Sequence, residues 1–140
     1  MIFNGIFLVA GAARGPALAT APLSFWGGYD PEAGRVIDRS HPALGAEFAG
    51  RVLVMPSGRG SSSSSTVLAE AIRLGTAPAA IVLSEPDAIL VIGALVAQRL
   101  YARTCPIAVL IPADHAAIAR APMLDIAIGA GDSDALLSTA

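Results

Sequence analysis

The sequence predicts an α/β fold whose first third is rich in β-structure and whose remainder consists of strand–helix units. Short apolar runs separated by turn residues occupy the first 50 positions, and later runs alternate with segments of helical periodicity. Strands that alternate with helices are expected to be parallel and joined by right-handed crossovers. The 140 residues are close to the usual size of one domain, and no linker divides them, so we expect a single domain over residues 1–140.

The first third contains short strands interrupted by glycine-rich turns. Residues 2–10 and 16–22 are predicted strands on either side of a turn at residues 11–15. Residues 25–34 contain many glycines and a proline, which predicts a loop. Residues 35–38 are predicted to form a short strand, and residues 40–50 connect it to the second part of the chain.

Strands and helices alternate from residue 51 onward. The predicted strands are residues 51–55, 79–83, 107–111 and 124–128, the last being the final strand. Residues 87–100 are predicted to form a helix, apolar on nearly every side and therefore buried, and residues 113–120 a shorter one. Another helix follows the glycine–serine loop and stops at Gly75. Its apolar residues repeat at helical spacing: Val67, Leu68, Ala71, Ile72 and Leu74.

The composition favours a large interface with a partner protein. Hydrophobic residues make up 54% and charged residues 14%, with a mean hydropathy of +0.65. A membrane-spanning helix needs about 20 apolar residues, whereas the longest run, residues 88–97, is half that length. No membrane span is therefore predicted. The apolar segment 1–9 lacks a basic start and is interpreted as a strand rather than a signal peptide. A net charge of −2 gives no reason to expect nucleic acid.

The single cysteine, Cys105, excludes an internal disulfide and any cluster held entirely by this chain's thiolates. A reducing, cytoplasmic location fits this composition. We predict that Cys105 is a buried structural thiol, and we predict no metal site in this chain.

The glycine–serine segment at residues 56–65 is the strongest candidate for a functional loop. A strand, a glycine-rich loop and a helix together present backbone N–H groups to an anion. Arg59 adds a charge that could bind a carboxylate or phosphate, while Gly58 and Gly60 permit close approach. Ser61 to Ser65 supply hydroxyls, one of which is expected to cap the helix. From spacing alone, a flexible surface turn remains an equal alternative. The Walker A pattern is excluded, since the loop has no lysine.

Two segments, in this order, resemble the signatures of the aconitase X small subunit. The first is Gly27-Gly28-Tyr29-Asp30-Pro31-Glu32-Ala33-Gly34-Arg35-Val36-Ile37-Asp38, with His41-Pro42 after it. The second is Leu53-Val54-Met55-Pro56-Ser57-Gly58-Arg59-Gly60-Ser61-Ser62-Ser63, followed by residues 75–81. The family's usual serine before the glycine pair is Trp26 here, and its usual threonine before Gly34 is Ala33.

The resemblance implies a swivelling β/β/α domain that acts as the small subunit of a dehydratase related to aconitase. It implies a hydro-lyase active only with a large subunit, which would carry an iron–sulfur cluster on its own cysteines; this chain would bind no cofactor. The family's catalytic serine directly follows a glycine, which places the role of base on Ser61. Arg59, Gly60, Ser62 and Ser63 would bind a small anionic substrate, and Gly27 and Gly28 would line the same site.

Other side chains receive structural interpretations. His41 is expected at the surface or stabilising a turn, and His115 in solvent at a helix start. Asp30 is expected to bond its own backbone in a turn rather than act with Glu32 as an acid–base pair. Exposed aromatic anchors of the interface are predicted at two positions, Phe25 and Trp26.

Three functions remain open at this point. The favoured reaction is dehydration of cis-3-hydroxy-L-proline to pyrroline-2-carboxylate, and mevalonate 5-phosphate is the alternative substrate within the family. A phosphohistidine carrier would use a similar swivelling architecture, but it needs a histidine at the helix entrance, where this chain has Ser61 to Ser65. A non-catalytic interaction domain is the third possibility.

Overall fold

The computed structural model describes residues 1–120, 124–132 and 134–139. The chain begins with two strands, a short helical turn and a small hairpin, and strands and helices then alternate. The elements are β1 (Ile2–Val9), β2 (Ala13–Ala19), α1 (Phe25–Gly28), β3 (Tyr29–Asp30), β4 (Arg35–Val36), β5 (Val52–Val54), α2 (Ser64–Leu74), β6 (Ala80–Leu83), α3 (Ala88–Tyr101), β7 (Ile107–Val109), α4 (Pro112–Ala119), β8 (Asp125–Ala130) and β9 (Ala135–Thr139).

Seven strands form a closed barrel in the order β1-β7-β6-β5-β2-β8-β9, with β9 pairing back to β1. The neighbours β2, β5, β6 and β7 are parallel, and the other pairs of the barrel are antiparallel. β3 and β4 pair with each other in a separate two-stranded sheet. The α/β class and the parallel strand–helix units predicted from the sequence are therefore confirmed.

Alternate residues of the parallel strands pack into two different cores. In β5, Val52 and Val54 join a cluster to which all seven barrel strands contribute, so this cluster fills the barrel interior. Leu53 points the other way and packs with residues of α2 and α3, as Ile81 does on β6. Burial on both faces explains why these strands are continuously apolar rather than alternating.

The helices α2 and α3 lie against each other on the outside of the barrel. A Cβ added at Gly93 would lie 2.6 Å from the backbone oxygen of Ser65, so the close approach of the two helices requires glycine there. α2 ends where predicted, at Gly75, whose φ of 79° is the left-handed conformation of a glycine cap. α3 is capped at its start by Asp87, whose side chain accepts hydrogen bonds from Ile89 N and Leu90 N.

The prediction that the helix at 87–100 is buried is wrong. Leu90, Gly93, Ala94 and Ala97 face inward. The opposite side is open to solvent because α3 covers the barrel and is covered by nothing within the described chain. Its exposed apolar residues are Ile92, Leu95, Val96, Leu100 and Tyr101. Even so, no helix in the described ranges is long and apolar enough to span a bilayer.

Two further predictions need correction, one for the last strand and one for the loop at residues 25–34. The strand at 124–128 is not the last, since β8 turns through Gly131, whose N–H donates to Asp134 O, into its neighbour β9. β9 was missed because its sequence, Ala-Leu-Leu-Ser-Thr, does not alternate between apolar and polar residues. The predicted loop at 25–34 contains α1 and β3, both too short for a periodic signal.

Candidate functional site

The glycine–serine loop leaves the carboxyl end of the parallel strand β5 and enters α2. Ligands of α/β folds bind at this end of a parallel sheet. Gly58 forms a bridge with Leu23, and its α-carbon lies so close to Asp87 that an added Cβ would be 2.2 Å from Asp87 Oδ2. Gly60 has a φ of 79°, which favours glycine and turns the chain toward the serines.

Ser61 lies on the turn that precedes α2 and is partly exposed. Its Oγ accepts a hydrogen bond from the backbone N–H of Ser63 at 3.1 Å. Its carbonyl accepts one from the N–H of Ser64, also at 3.1 Å. The hydroxyl is thus held near the positive end of an 11-residue helix by a donor that would also stabilise negative charge on the oxygen.

The expected serine side-chain cap is absent from α2. Ser63 occupies the N-cap position without a side-chain cap hydrogen bond. Its carbonyl and that of Ser62 instead accept from the first helical N–H groups, as Ser61 O does. A tight turn therefore uses the amides of residues 63–66. Since these amides are used by the turn, any anion cradle would be formed by the loop that precedes it.

The serines of the run have different environments. Ser62 and Ser63 are exposed beside Ser61, where a substrate could reach their hydroxyls. Ser64 is buried, and its Oγ accepts from Trp26 N at 3.1 Å. The Oγ of Ser65 donates to Ser62 O at 2.9 Å. The last two serines therefore have structural roles that the sequence did not separate from the others.

A small cleft opens beside this loop. Its volume is about 10 Å³, close to the space of one water molecule. It therefore needs a second surface before it can enclose a substrate. Its walls come from the loop, from residue 23 and from the start of α3: Leu23, Gly58, Arg59, Gly60, Ser61, Ser64, Asp87, Ile89 and Leu90.

Arg59 is exposed at the rim of this cleft. Its charge reaches Asp38, in the segment that follows β4. The pKa of the Asp38 carboxyl lies below its usual range, chiefly because the hydroxyl and amide of Ser40 donate to it, with smaller effects from His41 and Arg59. The glycine–serine loop and the segment after β4 therefore lie close enough for the charges of Arg59 and Asp38 to interact.

The glycine pair predicted to line the site has one open and one packed member. Gly27 is exposed, has a φ of 74°, and an added Cβ there would meet nothing within 4 Å. Gly28 is buried, and its carbonyl accepts from Ile37 N at 2.8 Å. Gly27 forms an open tip, joined to α2 through the bond between Trp26 and Ser64, while Gly28 secures its base.

The two aromatic residues next to this pair differ in exposure. Trp26 is 58% exposed, as expected of an interface anchor. The prediction for Phe25 is wrong, since the residue is fully buried. Its ring packs edge-on against Tyr29 and Phe48, with centroids 5.7 Å and 6.0 Å away. The helical turn α1 points the first aromatic inward and the second outward, a difference that spacing alone did not reveal.

Both histidines are buried and bonded to backbone groups. The predicted exposure of His115 is wrong: its Nε2 lies 2.9 Å from Met55 O and 3.3 Å from Val82 O. His41 Nε2 contacts the carbonyls of Ala21 and Pro22, and its Nδ1 accepts from Ala43 N. It stabilises a turn, as expected, but from a buried position.

The other titratable candidates are structural as well. Asp30 Oδ1 accepts from the amides of Glu32 and Ala33, which confirms the turn interpretation. Cys105 is buried as predicted, and burial raises the pKa of its thiol to about 12. Since the thiol also donates to Pro78 O, it is a poor metal ligand. Within residues 1–120, 124–132 and 134–139, no three His, Cys, Asp or Glu side chains come together as a metal site.

Comparisons with known proteins agree on one family. The family model of the aconitase X swivel domain matches residues 2–132. A cis-3-hydroxy-L-proline dehydratase of Pseudomonas aeruginosa is 56% identical over 104 residues, or 74% of this chain and 18% of that protein. A phosphomevalonate dehydratase small subunit of Methanothermobacter thermautotrophicus is 47% identical over 88 residues, or 62% of this chain and 67% of that subunit.

The chain spans about a fifth of the length of the hydroxyproline dehydratases that it matches. Among solved structures, the aconitase X of Thermococcus kodakaraensis in its holo-form superimposes with a TM-score of 0.83 at 26% identity. That superposition covers 100% of this chain and 98% of the other. The swivel-type fold implied by the two sequence signatures is confirmed, and the chain belongs to the aconitase X swivel domain family.

Proposed function

We propose that this chain is the swivelling small part of an aconitase X type dehydratase and that Ser61 is the base of its reaction. The observation that carries the proposal is the position of the Ser61 hydroxyl. It lies on the turn before α2, partly exposed, and accepts the Ser63 amide. The relatives named as dehydratases and dehydratase small subunits support the reaction class.

In this reaction Ser61 removes a proton from the carbon next to the one that carries the leaving hydroxyl. The electrons of the C–H bond form the double bond while the C–O bond breaks and the hydroxyl departs as hydroxide. Transfer of the proton held by Ser61 to this hydroxide then gives water and restores the alkoxide. Ser61 must begin as an alkoxide. The Ser63 amide donates directly to its oxygen, and a hydrogen bond to a charged group contributes about 1.5–3 kcal/mol. The start of α2 adds about 0.3–1 kcal/mol.

Arg59 and the loop amides are assigned to the substrate's anionic group. The guanidinium is exposed at the rim of the cleft and can bind a carboxylate through two parallel hydrogen bonds. The amides of residues 59–62 precede the turn of α2, and we assign them to the same anionic group. Ser62, Ser63 and the Gly27 tip are assigned to the remaining contacts, and Gly28 supports that tip.

The rest of the active site is assigned to a large subunit or domain. A cleft of about 10 Å³ cannot enclose a hydroxy acid, and the hydroxyproline dehydratases have most of their length outside the matched segment. The exposed apolar side of α3 and the exposed Trp26 are surfaces that such a partner can cover. The iron–sulfur cluster, which would withdraw the leaving hydroxyl as a Lewis acid, is assigned to that partner, since Cys105 and the histidines here do not fit it.

cis-3-Hydroxy-L-proline is the proposed substrate, with pyrroline-2-carboxylate as product. The relative with 56% identity carries this activity in its name. Mevalonate 5-phosphate is the second candidate, supported by the 47% identical small subunit. A phosphohistidine carrier is disfavoured because His41 and His115 are both buried and bonded to backbone carbonyls.

The test is reconstitution of the chain with an aconitase X large subunit or domain from the same organism. The complex should dehydrate cis-3-hydroxy-L-proline, and the isolated chain should be inactive because it has only one side of the site. Mevalonate 5-phosphate, assayed in parallel, decides between the two substrates. Dehydration of any hydroxy acid by the isolated chain would contradict the proposal, as would a complex inactive on both substrates.

A further inference from the structure

We propose that Ser24 and Ser64 are positioning residues that hold the Trp26-Gly27 tip against the serine turn as one wall of the substrate site. The inference rests on the proposed function and extends it to two side chains that lie outside both sequence signatures. Neither hydroxyl is placed to act on the substrate itself: Ser64 is buried, and Ser24 is partly covered.

Three hydrogen bonds close a ring around the backbone of Trp26. Its N–H donates to Ser64 Oγ at 3.1 Å, and its carbonyl accepts from Ser24 Oγ at 2.9 Å. The two hydroxyl oxygens lie 3.4 Å apart. A hydroxyl has one proton, and that of Ser24 is used on Trp26 O. Ser64 must therefore donate to Ser24, which gives every member of the ring one donated and one accepted bond.

The ring fixes a backbone conformation that the local helix would not adopt. Trp26 has φ −69° and ψ 118°, and Gly27 has φ 74°, so the turn of α1 is broken at both residues. Because the polar groups on both sides of Trp26 are held, the direction in which Gly27 projects is set by Ser24 and Ser64. When each hydroxyl in such a ring both donates and accepts, the hydrogen bonds of the ring strengthen one another.

Ser64 also connects this tip to the base. Its backbone N–H donates to Ser61 O at 3.1 Å, and its side chain lies in the wall of the cleft beside Ser61 and Arg59. Removing the Ser64 hydroxyl leaves in place the bond from Ser64 N–H to Ser61 O and the bond from Ser63 N–H to Ser61 Oγ. Ser61 therefore stays in position while the Trp26-Gly27 tip is released, so KM should change more than kcat.

The first experiment uses Trp26 as a reporter, since it is the only tryptophan of the chain. Time-resolved fluorescence anisotropy is recorded on the full chain and on Ser24→Ala, Ser64→Ala and Ser64→Thr. We expect a larger amplitude of nanosecond depolarisation in both alanine variants and recovery in Ser64→Thr, which keeps the hydroxyl. Ser84→Ala is the matched control, because Ser84 Oγ makes one bond to Pro56 O and its own amide duplicates it.

The second experiment measures KM and kcat of the same variants in the reconstituted complex. For Ser24→Ala and Ser64→Ala we expect KM to rise about tenfold, the equivalent of one hydrogen bond of about 1–1.5 kcal/mol, with kcat within twofold. Ser64→Thr should restore KM, and Ser84→Ala should match the parent. A purely structural loss would instead lower the active fraction and the melting temperature at constant KM.

The inference is overturned if both alanine variants keep the parent's KM, or if their anisotropy decays match that of Ser84→Ala. Should Ser64→Ala fail to fold, Ser24→Ala decides alone, because the residue is partly exposed and outside the helices. Failure of the proposed function looks different: Ser61→Ala would then keep full kcat, whatever the ring variants do to KM.

Discussion

Gly58→Ala tests how tightly the functional loop is tied to the start of α3. The new Cβ would lie 2.2 Å from Asp87 Oδ2, and contacts under 3.0 Å essentially never occur. The loop or the Asp87 carboxylate must therefore shift by about 0.8 Å. The carboxylate cannot move freely, because Asp87 Oδ1 accepts from Ile89 N at 3.0 Å and from Leu90 N at 3.1 Å.

The expected cost follows from that cap. Losing an Asp cap costs about 1–2 kcal/mol, and replacing glycine by alanine returns about 0.4–1 kcal/mol through the unfolded chain. Gly58→Ala should therefore destabilise by about 1 kcal/mol, or about 3–4 °C in Tm for a chain of this size. In an Asp87→Ala background the obstructing oxygen is gone, and the same change should be neutral or stabilising.

The assay is urea unfolding of the parent, both single variants and the double variant. The cycle should give a coupling of about 1–2 kcal/mol between the two positions. If Gly58→Ala costs the same with and without the Asp87 carboxylate, the close contact does not exist in solution and the reasoning is refuted.

Two further predictions concern other parts of the chain. Burial raises the pKa of Cys105 and of Tyr29 to about 12 each, above their unfolded values. The contribution of Cys105 to stability should be full below about pH 8.5 and fall as pH rises toward 12, by about 1.4 kcal/mol per pH unit. Tyr29 should lower stability in the same direction, but only above about pH 10. Cys105→Ala should flatten the measured slope of unfolding free energy between pH 9 and 11, and an unchanged slope would show that the thiol is not buried. Leu100 is 65% exposed on α3, so Leu100→Asp should leave Tm within about 1–2 °C. It should nevertheless weaken binding to the large subunit at least tenfold, measured by calorimetry. Leu44→Asp, at a residue 53% exposed on a loop, is the control. Equal affinities for these two variants would remove α3 from the interface.

The sequence predicted what depends on periodic patterns and long motifs. The parallel strands at 51–55, 79–83 and 107–111, the helix ending at Gly75 and the serine loop between strand and helix were all found from apolar spacing and glycine placement. The two signatures in register added the swivel-type fold. Apolar spacing and glycine placement are local properties of the chain, and the two signatures are long stretches of consecutive residues. Both kinds of signal can be read from one sequence.

What the sequence could not show depends on three-dimensional neighbours. His115 follows a proline at a helix start, a position that is usually exposed, and only the packing of α4 over the barrel brings it to Met55 O and Val82 O. The structural role of Ser64 depends on the amide of Trp26, which is distant in sequence and donates to its hydroxyl. α3 is apolar on all sides, and periodicity cannot say which side the barrel covers.

Ser61→Ala in the reconstituted complex is the most direct test of the central claim. Loss of a general base lowers kcat by about 10²–10⁴-fold, and since the mutation removes only one oxygen that accepts the Ser63 amide, KM and affinity for the large subunit should change little. Ser62→Ala, at the exposed neighbour, should retain kcat within about tenfold. A Ser61→Ala complex with the parent's kcat would contradict the assignment of Ser61 as the base.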